Sequence, residues 1–425
     1  MLARACGEKP PKDRLLATRP CRFIYKSSLQ NGYSNLPTLC YTILYRHMDH
    51  RVSLQHIRGH TLTTNNQTSA TPVRVGVIGL GFGGETALKC YRQLPNVEIV
   101  ALAGMEEDKL HALGKTYNIP HLYRYYEELL ARDDLDAVSV AVPNYLHRPV
   151  AVAALERGLH VLCEKPLART GEEAEAIVQA AIKANRVLQV VFNHRHRGDV
   201  DILKRYVDEG KLGHIYYAKA YWMRRRGIPG AGTWFGNKEK SGGGPLIDLG
   251  VHALDMALHL LDEPEVITVT ASTYDEIGKR GLGIDIAAQK SGAGNTFNVE
   301  DLATAFMRLS NGATLLLEAS WATHSNVTDD FGVILYGTEG GAEIHVKDHS
   351  CVDTLRIYTD VAGAPSEVRP QIPGCEKHMA VIREFIETIN SGNWSLHHGS
   401  EGLRRTRIVD ACYASALQGR EVALS

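Results

Sequence analysis

The sequence predicts an α/β fold built on two successive sheets, and three observations carry this prediction. Residues 73–192 alternate short apolar runs with helix-length segments rich in Ala, Leu and Glu, which is typical of a parallel sheet with helices on both faces. From residue 214 onward, consecutive β-rich runs separated by Gly, Asn and Asp favour an antiparallel sheet. The length of 425 residues also exceeds what one hydrophobic core usually spans.

Composition is that of an ordinary globular protein and points to neither a nucleic-acid partner nor a membrane. The chain has 47 basic and 48 acidic residues and is 44% hydrophobic. No apolar run approaches the roughly 18 residues that a membrane helix requires. The eight cysteines have no metal-type spacing. We therefore expect reduced thiols and a cytoplasmic location.

Residues 1–70 differ from the remainder and are predicted to be a poorly ordered leader without a part in the chemistry. They contain ten Lys or Arg residues but only Glu8, Asp13 and Asp49 as acids. Such a basic segment fits an organelle transit sequence, or upstream sequence included by a wrong start site, with translation beginning near Met48. The second interpretation is favoured because no convincing amphipathic helix occurs here.

The first sheet is predicted from five apolar runs, taken in chain order. They cover residues 73–78, 97–104, 135–143, 160–166 and 187–192. Helical segments are expected between them, among them 150–157 and 171–184. The turn after the first run carries Gly79, Gly81 and Gly84 in the pattern G-x-G-x-x-G. At a strand-to-helix turn this pattern predicts a Rossmann domain, here residues 71–192, that binds NAD or NADP.

Each glycine has its own reason in such a turn. Gly79 permits the tight bend, Gly81 lets backbone N–H groups approach a pyrophosphate, and Gly84 lets helix and strand pack closely. The whole turn is expected to contact the cofactor: Gly79, Leu80, Gly81, Phe82, Gly83 and Gly84. Gly104 stands where an acid would hold the ribose 2′-OH, so NAD is favoured only by the nearby Glu106, Glu107 and Asp108, and NADP stays open.

Four blocks resemble the glucose-fructose oxidoreductase, inositol dehydrogenase and rhizopine-catabolism (Gfo/Idh/MocA) family. They are "GVIGLGFGG", "VAVPNYLH", "CEKPLA" and "GGGPLIDLGVHALD", in the family's order and spacing. The resemblance runs from about Val73 to near Arg420, and "VEDLATAFMRLSNGATLLLEASW" extends it. It implies a C-terminal α/β domain, residues 193–425, built on an open, mostly antiparallel sheet that commonly forms oligomer contacts.

The second half read by itself agrees with this architecture. Six β-rich runs begin near residues 214, 265, 300, 313, 331 and 354, and two helical segments close the chain at 377–391 and 401–418. The resemblance therefore implies a homo-oligomer that joins through the C-terminal sheet.

Three residues are predicted to carry the chemistry of alcohol oxidation, which needs a group to handle the hydroxyl proton. "EKP" places Lys165 at the carboxyl end of a parallel strand, where ligands of open α/β sheets bind. The resemblance maps the family's catalytic D-x-x-x-H onto Asp248 and His252, which lie on one stripe of a helix. His252 is expected to be the acid/base with a pKa near 6.5, and Asp248 to bind a substrate hydroxyl.

Further contacts are implied around this centre. Asn144, His147, Glu164 and Lys165 are expected to contact the cofactor, and Asn193, Arg195 and Trp234 the substrate. One of the arginines at 224–226 is a weaker candidate for a polar substituent. Asp255 is assigned to a buried structural hydrogen bond. No metal is expected, since no third ligand stands at a recognisable spacing.

We therefore predict an NAD(P)-dependent dehydrogenase that acts on a secondary alcohol of a sugar, cyclitol or related polyol. Two alternatives stay open at this point. One is an NAD-dependent glycosidase that oxidises a sugar transiently, and the other is a non-catalytic NAD(P) sensor, which the complete set of Lys165, Asp248 and His252 disfavours.

Overall fold

The computed structural model describes residues 71–229, 233–284 and 297–424. The predictions for the leader at 1–70 fall outside the described residues. Within the described ranges, none of the helices is long and apolar enough to cross a membrane.

The first sheet has six parallel strands in the order β3-β2-β1-β4-β5-β6, the order of a dinucleotide-binding fold. All five predicted runs form strands of this sheet. The strands are β1 (Val73–Ile78), β2 (Val97–Ala103), β3 (His121–Tyr123), β4 (Ala137–Val140), β5 (His160–Cys163) and β6 (Leu188–Val190). The helices are α1 (Phe82–Tyr91), α2 (Glu107–Tyr117), α3 (Tyr126–Leu130), α4 (His147–Glu156), α5 (Gly171–Ala184) and α6 (Gly198–Asp208).

The second sheet has nine strands and is mostly antiparallel, as predicted. Its order is β14-β13-β12-β11-β7-β10-β9-β8-β15, and only the central pair β7 and β10 runs parallel. The strands are β7 (Ile215–Arg224), β8 (Val266–Tyr274), β9 (Leu302–Leu309), β10 (Thr314–Ser320), β11 (Asp329–Gly337), β12 (Gly341–Lys347), β13 (Leu355–Val361), β14 (Ala364–Val368) and β15 (Val422–Ala423).

The helix that carries Asp248 and His252 is not one regular α-helix. A short helix α7 (Lys238–Ser241) is followed by the glycines at 242–244, and a π-helical turn then covers Leu246–Gly250. The regular helix α8 covers Val251–Leu260. Asp248 therefore lies in the π turn and His252 in the α-helix, which differs from the regular spacing that the sequence predicts. A π turn inside a helix is often a feature of a functional site.

The last two helices, α9 (His378–Ser391) and α10 (Ser400–Gln418), begin and end close to their predicted bounds. The apolar residues Val381, Ile382 and Phe385 of α9 pack into the core of the first domain, with Leu88 and Leu162. The predicted boundary at residue 193 thus separates the two sheets, but the chain returns to the Rossmann domain near its end.

The cysteine prediction is wrong for one pair. Cys351, after β12, and Cys375, before α9, form a disulfide. Cys90, Cys163 and Cys412 are buried free thiols, as expected. Sequence spacing did not indicate the pair because its two halves are 24 residues apart and belong to different loops, which only the tertiary fold brings together.

Candidate active site

The turn between β1 and α1 has the shape that a pyrophosphate requires. Gly79 has a φ of +109°, and a Cβ there would lie 2.0 Å from the carbonyl oxygen of Ala141. A Cβ on Gly84 would lie 2.0 Å from the carbonyl oxygen of Gly79, whereas at Gly81 it would meet open space. The first N–H groups of α1 have no acceptor within the helix and point toward that space. These residues fit a dinucleotide phosphate.

Glu164 borders the same turn from the neighbouring strand end. A Cβ on Gly83 would lie 2.8 Å from Oε1 of Glu164, so a side chain at residue 83 would displace this carboxyl from its present position. Burial raises the pKa of Glu164 to about 7, and the Lys165 charge opposes this shift. Near neutral pH the carboxyl is therefore often protonated, which reduces its repulsion of a phosphate.

His147 holds the turn that carries Lys165. Its Nδ1 lies 2.8 Å from the carbonyl oxygen of Pro166, and its Nε2 lies 2.8 Å from that of Val142. The ring is 1% exposed. Each nitrogen therefore faces a backbone carbonyl oxygen, and the neutral ring donates its one N–H to one of them. The cofactor contact expected for this residue stays a prediction.

Lys165 and Asp248 form an ion pair between the two domains. Lys165 Nζ donates to Asp248 Oδ1 at 2.8 Å and to the Asp248 carbonyl oxygen at 2.9 Å. The other carboxylate oxygen, Oδ2, accepts from Trp321 Nε1 at 2.9 Å. Burial alone would raise the pKa of Asp248, but Lys165, Arg224 and the indole together hold it below its ordinary value. Asp248 is thus an anion bound to Lys165, and its contact with a substrate hydroxyl stays a prediction.

His252 lies beside this ion pair as a neutral imidazole. Burial lowers its pKa well below the ordinary value near 6.5, and the Lys165 charge adds to the shift. Its buried Nδ1 has no hydrogen-bond partner among the described residues. The expectation of an unperturbed pKa is therefore wrong, because the sequence does not show how completely the ring is enclosed.

A second buried imidazole, which the sequence analysis missed, packs against His252. The ring centroid of His194 lies 4.8 Å from that of His252, and 5.0 Å from those of Trp222 and Phe331. The Nδ1 of His194 is also unpartnered within the described part of the chain. His194 follows Asn193 directly, a few residues after the end of β6. This position is the only sequence signal that could have indicated that His194 belongs to the site.

The other residues predicted to contact cofactor or substrate have partners of their own in the structure. Asn193 is buried, and its Nδ2 lies 3.5 Å from Nδ1 of His378 at the start of α9. Asn144 donates to the carbonyl oxygen of Ser241 at 2.7 Å, which ties the first domain to the segment before the π turn. Trp234 stacks on Phe235 with a centroid separation of 3.9 Å.

Arg195 is part of a structural network. Its guanidinium binds Asp255 through Nε at 2.8 Å and through a terminal nitrogen at 2.6 Å. Asp255 is 1% exposed and also accepts from Arg405 at 3.0 Å. The structural role expected for Asp255 is therefore confirmed. Arg195 binds this buried carboxylate, and its contact with a substrate stays a prediction.

Of the three arginines at 224–226, Arg224 is the one whose charge acts on Asp248 and His252. Its Nε donates to Asp329 Oδ2 at 2.9 Å, and Asp329 Oδ1 accepts from Trp222 Nε1 at 2.7 Å. Arg225 and Arg226 are exposed. The Arg224 charge contributes to the lowered pKa values of both Asp248 and His252.

The arrangement can therefore orient an alcohol between a cation and a neutral imidazole, next to a turn suited to a dinucleotide. Across the described ranges, no group of three His, Cys, Asp or Glu side chains is placed to hold a metal ion.

Two family models match the chain. One is described as an oxidoreductase family with an NAD-binding Rossmann fold and covers residues 73–192. The other is the GFO/IDH/MocA C-terminal domain and covers residues 200–343. Together they account for more than half of the chain.

Curated relatives and solved structures give the same picture. The chain is 32% identical to the D-glucoside 3-dehydrogenase of Escherichia coli, over 84% of this chain and 99% of that protein. It is 31% identical to the levoglucosan dehydrogenase of Pseudarthrobacter phenanthrenivorans, over 81% and 96% of the two chains. A structure of levoglucosan dehydrogenase in complex with NADH and L-sorbose superposes with a TM-score of 0.73 at 25% identity, covering 84% of this chain and all of that one.

Proposed function

Because the chain belongs to the Gfo/Idh/MocA oxidoreductase family, we propose that it is a dehydrogenase that oxidises a ring hydroxyl of a glucose-type glycoside, at C3. The Lys165–Asp248 ion pair beside the glycine turn is the observation that carries the proposal, since it supplies a cation for an alcohol oxygen. The choice of C3 is supported by the name of the E. coli relative. The neighbours named levoglucosan dehydrogenase, one of them in complex with NADH and L-sorbose, support the broader sugar class.

In this proposal the residues of the chain hold the alcohol and move its proton. A bound nicotinamide, when present, exchanges a hydride with the carbon that carries the hydroxyl. Lys165 donates an N–H to the alcohol oxygen and stabilises the negative charge that develops there. Neutral His252 is available to accept the hydroxyl proton. Asp248 balances the charge of Lys165, and Asn193 and Trp234 are proposed to contact the rest of the sugar.

Cofactor contacts are proposed for the glycine turn, Glu164 and Lys165, with NAD preferred over NADP. A Cβ at Gly104 would lie 2.2 Å from Cγ of Leu80, so no side chain can extend from the end of β2. The exposed acids Glu106, Glu107 and Asp108 follow directly. Lys109, the nearest cation in the chain, is paired with Glu85 at 2.8 Å. This acidic surrounding disfavours a 2′-phosphate.

A panel of sugars with each cofactor tests the proposal. We expect NADH formation with methyl and aryl glucosides and with levoglucosan, slower turnover with NADP, and a 3-keto product identified by NMR spectroscopy. The matched control is methyl 3-deoxyglucoside, which retains every other hydroxyl group and should not react.

Turnover of the 3-deoxy analogue, or of cyclitols alone, would contradict oxidation at C3 of a glycoside. The same assays separate the two alternative functions. Cleavage of the aryl glycoside without net NADH would indicate a glycosidase, and cofactor binding without turnover of any sugar would indicate a sensor.

We further propose a homo-oligomer formed through the outer face of the nine-stranded sheet. Leu316 of β10 lies opposite Phe306 of β9, and Ile334 of β11 lies two strands away on the same face. Phe306 and Tyr336 are among the exposed large apolar side chains. Lys219 of β7 lies between Leu316 and Ile334 and pairs with Glu318, so the face combines exposed apolar side chains with one ion pair. Exposed apolar side chains on one face of a sheet support an interface between proteins.

Replacing Phe306 with glutamate should dissociate this oligomer, because a charged group would replace an apolar ring at the interface and would have to lose its water. Light scattering coupled to size-exclusion chromatography measures the mass of the particle, which should fall to that of one chain. Leu417→Glu is the matched control, since Leu417 is exposed at the end of α10, away from the sheet face. A wild-type chain that is already monomeric would contradict the proposal.

The cytoplasmic location also stays a proposal. It is supported by the buried free thiols Cys90, Cys163 and Cys412. The Cys351–Cys375 disulfide weighs against it, because such bonds persist mainly in oxidising compartments.

A further inference from the structure

The open end of the β9–β10 hairpin lies against the π turn that carries Asp248. At this end of the hairpin Leu302 pairs with Ser320. Glu300 lies just before the first strand, and Trp321 lies just after the second. Both residues are buried and both bind the segment that contains Asp248, although neither belongs to it.

Trp321 fixes the Asp248 side chain. Its indole is fully buried and donates from Nε1 to Asp248 Oδ2 at 2.9 Å. The Trp321 backbone N–H donates to the Asp301 carbonyl oxygen at 3.0 Å. Trp321 is therefore held through both its side chain and its main chain.

Glu300 fixes the backbone that leads to Asp248. Its carboxylate accepts from the N–H groups of Gly244 at 2.9 Å and Leu246 at 3.2 Å. Tyr413 of α10 donates its hydroxyl to the same carboxylate at 2.8 Å. A Cβ on Gly244 would lie 2.0 Å from the Glu300 carbonyl oxygen, so this approach requires glycine. The N–H groups at the start of the helical segment, which have no acceptor within it, therefore donate to the Glu300 side chain just before β9.

These contacts determine which N–H of Lys165 is left for a substrate. A lysine ammonium has three N–H donors. The Asp248 carbonyl oxygen and Oδ1 accept two of them. Because Oδ2 accepts the indole N–H of Trp321, rotation of the carboxylate away from Lys165 would break that hydrogen bond. The third N–H of Lys165 is therefore held in one direction. A displacement of about 1 Å in such a group can cost on the order of 10²-fold in rate.

We propose that Trp321 is a positioning residue, which acts through Asp248 to direct the free N–H of Lys165 toward the alcohol oxygen, with Glu300 fixing the adjoining backbone. The proposal rests on the proposed function, because it concerns the same site. Trp321 closes the run "LLLEASW", and nothing in that run distinguishes a positioning indole from a core tryptophan.

Trp321→Phe removes the indole N–H while keeping an aromatic ring. We expect kcat to fall roughly 10- to 100-fold, with the Kd for NADH within about twofold of the wild-type value. The pH profile of kcat provides a readout that packing would not move. Without the indole N–H the pKa of Asp248 rises, so the acidic limb of the profile should move to higher pH.

Trp394→Phe is the matched control, because it also removes an indole N–H that donates a hydrogen bond. Trp394 Nε1 donates to the Ile389 carbonyl oxygen at 3.1 Å, near the end of α9, whereas the start of α9 lies near the site. The control variant should leave kcat and the pH profile unchanged. A Trp321→Phe enzyme with kcat within about threefold of wild type would overturn the proposal. So would a loss of kcat without movement of the acidic limb.

A spectroscopic test does not depend on turnover. The chain has four tryptophans, so an indole ¹H–¹⁵N spectrum has four signals, which single Trp→Phe variants assign directly or by elimination. Asp248→Asn should shift the Trp321 signal and leave the Trp394 signal in place, and an unmoved Trp321 signal would overturn the proposal. If the wild-type enzyme oxidises no sugar, the proposed function fails, and this spectrum still decides whether Trp321 holds Asp248.

Discussion

Replacing Lys165 with methionine is expected to lower kcat for sugar oxidation by roughly 10²–10⁴-fold, while the Kd for NADH stays within about twofold of the wild-type value. Lys165 Nζ is the only cation within hydrogen-bond distance of Asp248, at 2.8 Å, among the described residues. Methionine has a similar length but offers no N–H to the alcohol oxygen and no positive charge to the developing alkoxide. Steady-state kinetics and NADH fluorescence titration measure the two quantities separately.

Lys279→Met provides the matched control for loss of a lysine from an ion pair. Lys279 pairs with Asp275 at 2.9 Å, and both side chains are about half exposed. This variant should retain wild-type kcat. Partial recovery of a Lys165→Ala enzyme by added ethylamine would assign the loss to the missing ammonium. Full turnover of folded Lys165→Met would remove Lys165 from the proposed chemistry.

Local sequence patterns were sufficient for the fold and for the ends of the strands that carry the site. β1 occupies the predicted run 73–78, and α5 the predicted helix 171–184. These elements are visible because hydrophobic periodicity and glycine turns are properties of consecutive residues. The strands β3, β12, β14 and β15 were not predicted. β3, β14 and β15 are edge strands, which have too little apolar pattern to be distinguished from loops. β12 is an interior strand whose Ala342, Ile344 and Val346 are buried, so its alternation is present in the sequence and was overlooked.

Side-chain partners from distant elements were beyond what the sequence could show. Arg195 and His147 stand at strand ends, where a ligand contact is reasonable, yet Arg195 binds Asp255 and His147 binds backbone carbonyl groups. The lowered pKa of His252 likewise follows from enclosure by residues of several elements. Trp321 lies 73 positions from Asp248, so its hydrogen bond depends on tertiary packing that no local pattern encodes.

Replacing Asp255 with asparagine is expected to lower the free energy of unfolding by about 3–5 kcal/mol, the cost of breaking a buried ion pair by removing one partner. Asp255 and Arg405 are each 1% exposed or less, and Arg195 binds the same carboxylate. Arg405 also binds Glu263 through both terminal nitrogens at 2.6 Å. The substitution would leave guanidinium charges buried without a full counterion. Urea unfolding followed by circular dichroism measures the change.

Asp275→Asn is the matched control, because its ion pair with Lys279 is exposed and screened by solvent and should leave the free energy of unfolding nearly unchanged. The pH dependence gives a second test. Burial alone would raise the pKa of Asp255, but Arg195 and Arg405 hold it below its ordinary value. A carboxylate with a depressed folded-state pKa stabilises the protein above its unfolded pKa of about 4, and this stabilisation is lost as the pH falls through the folded-state value. The difference in the free energy of unfolding between wild type and Asp255→Asn should therefore be largest near neutral pH and should shrink in acid. A difference that does not change with pH would show that the charge of the Asp255 carboxylate is not what holds α8 to α10.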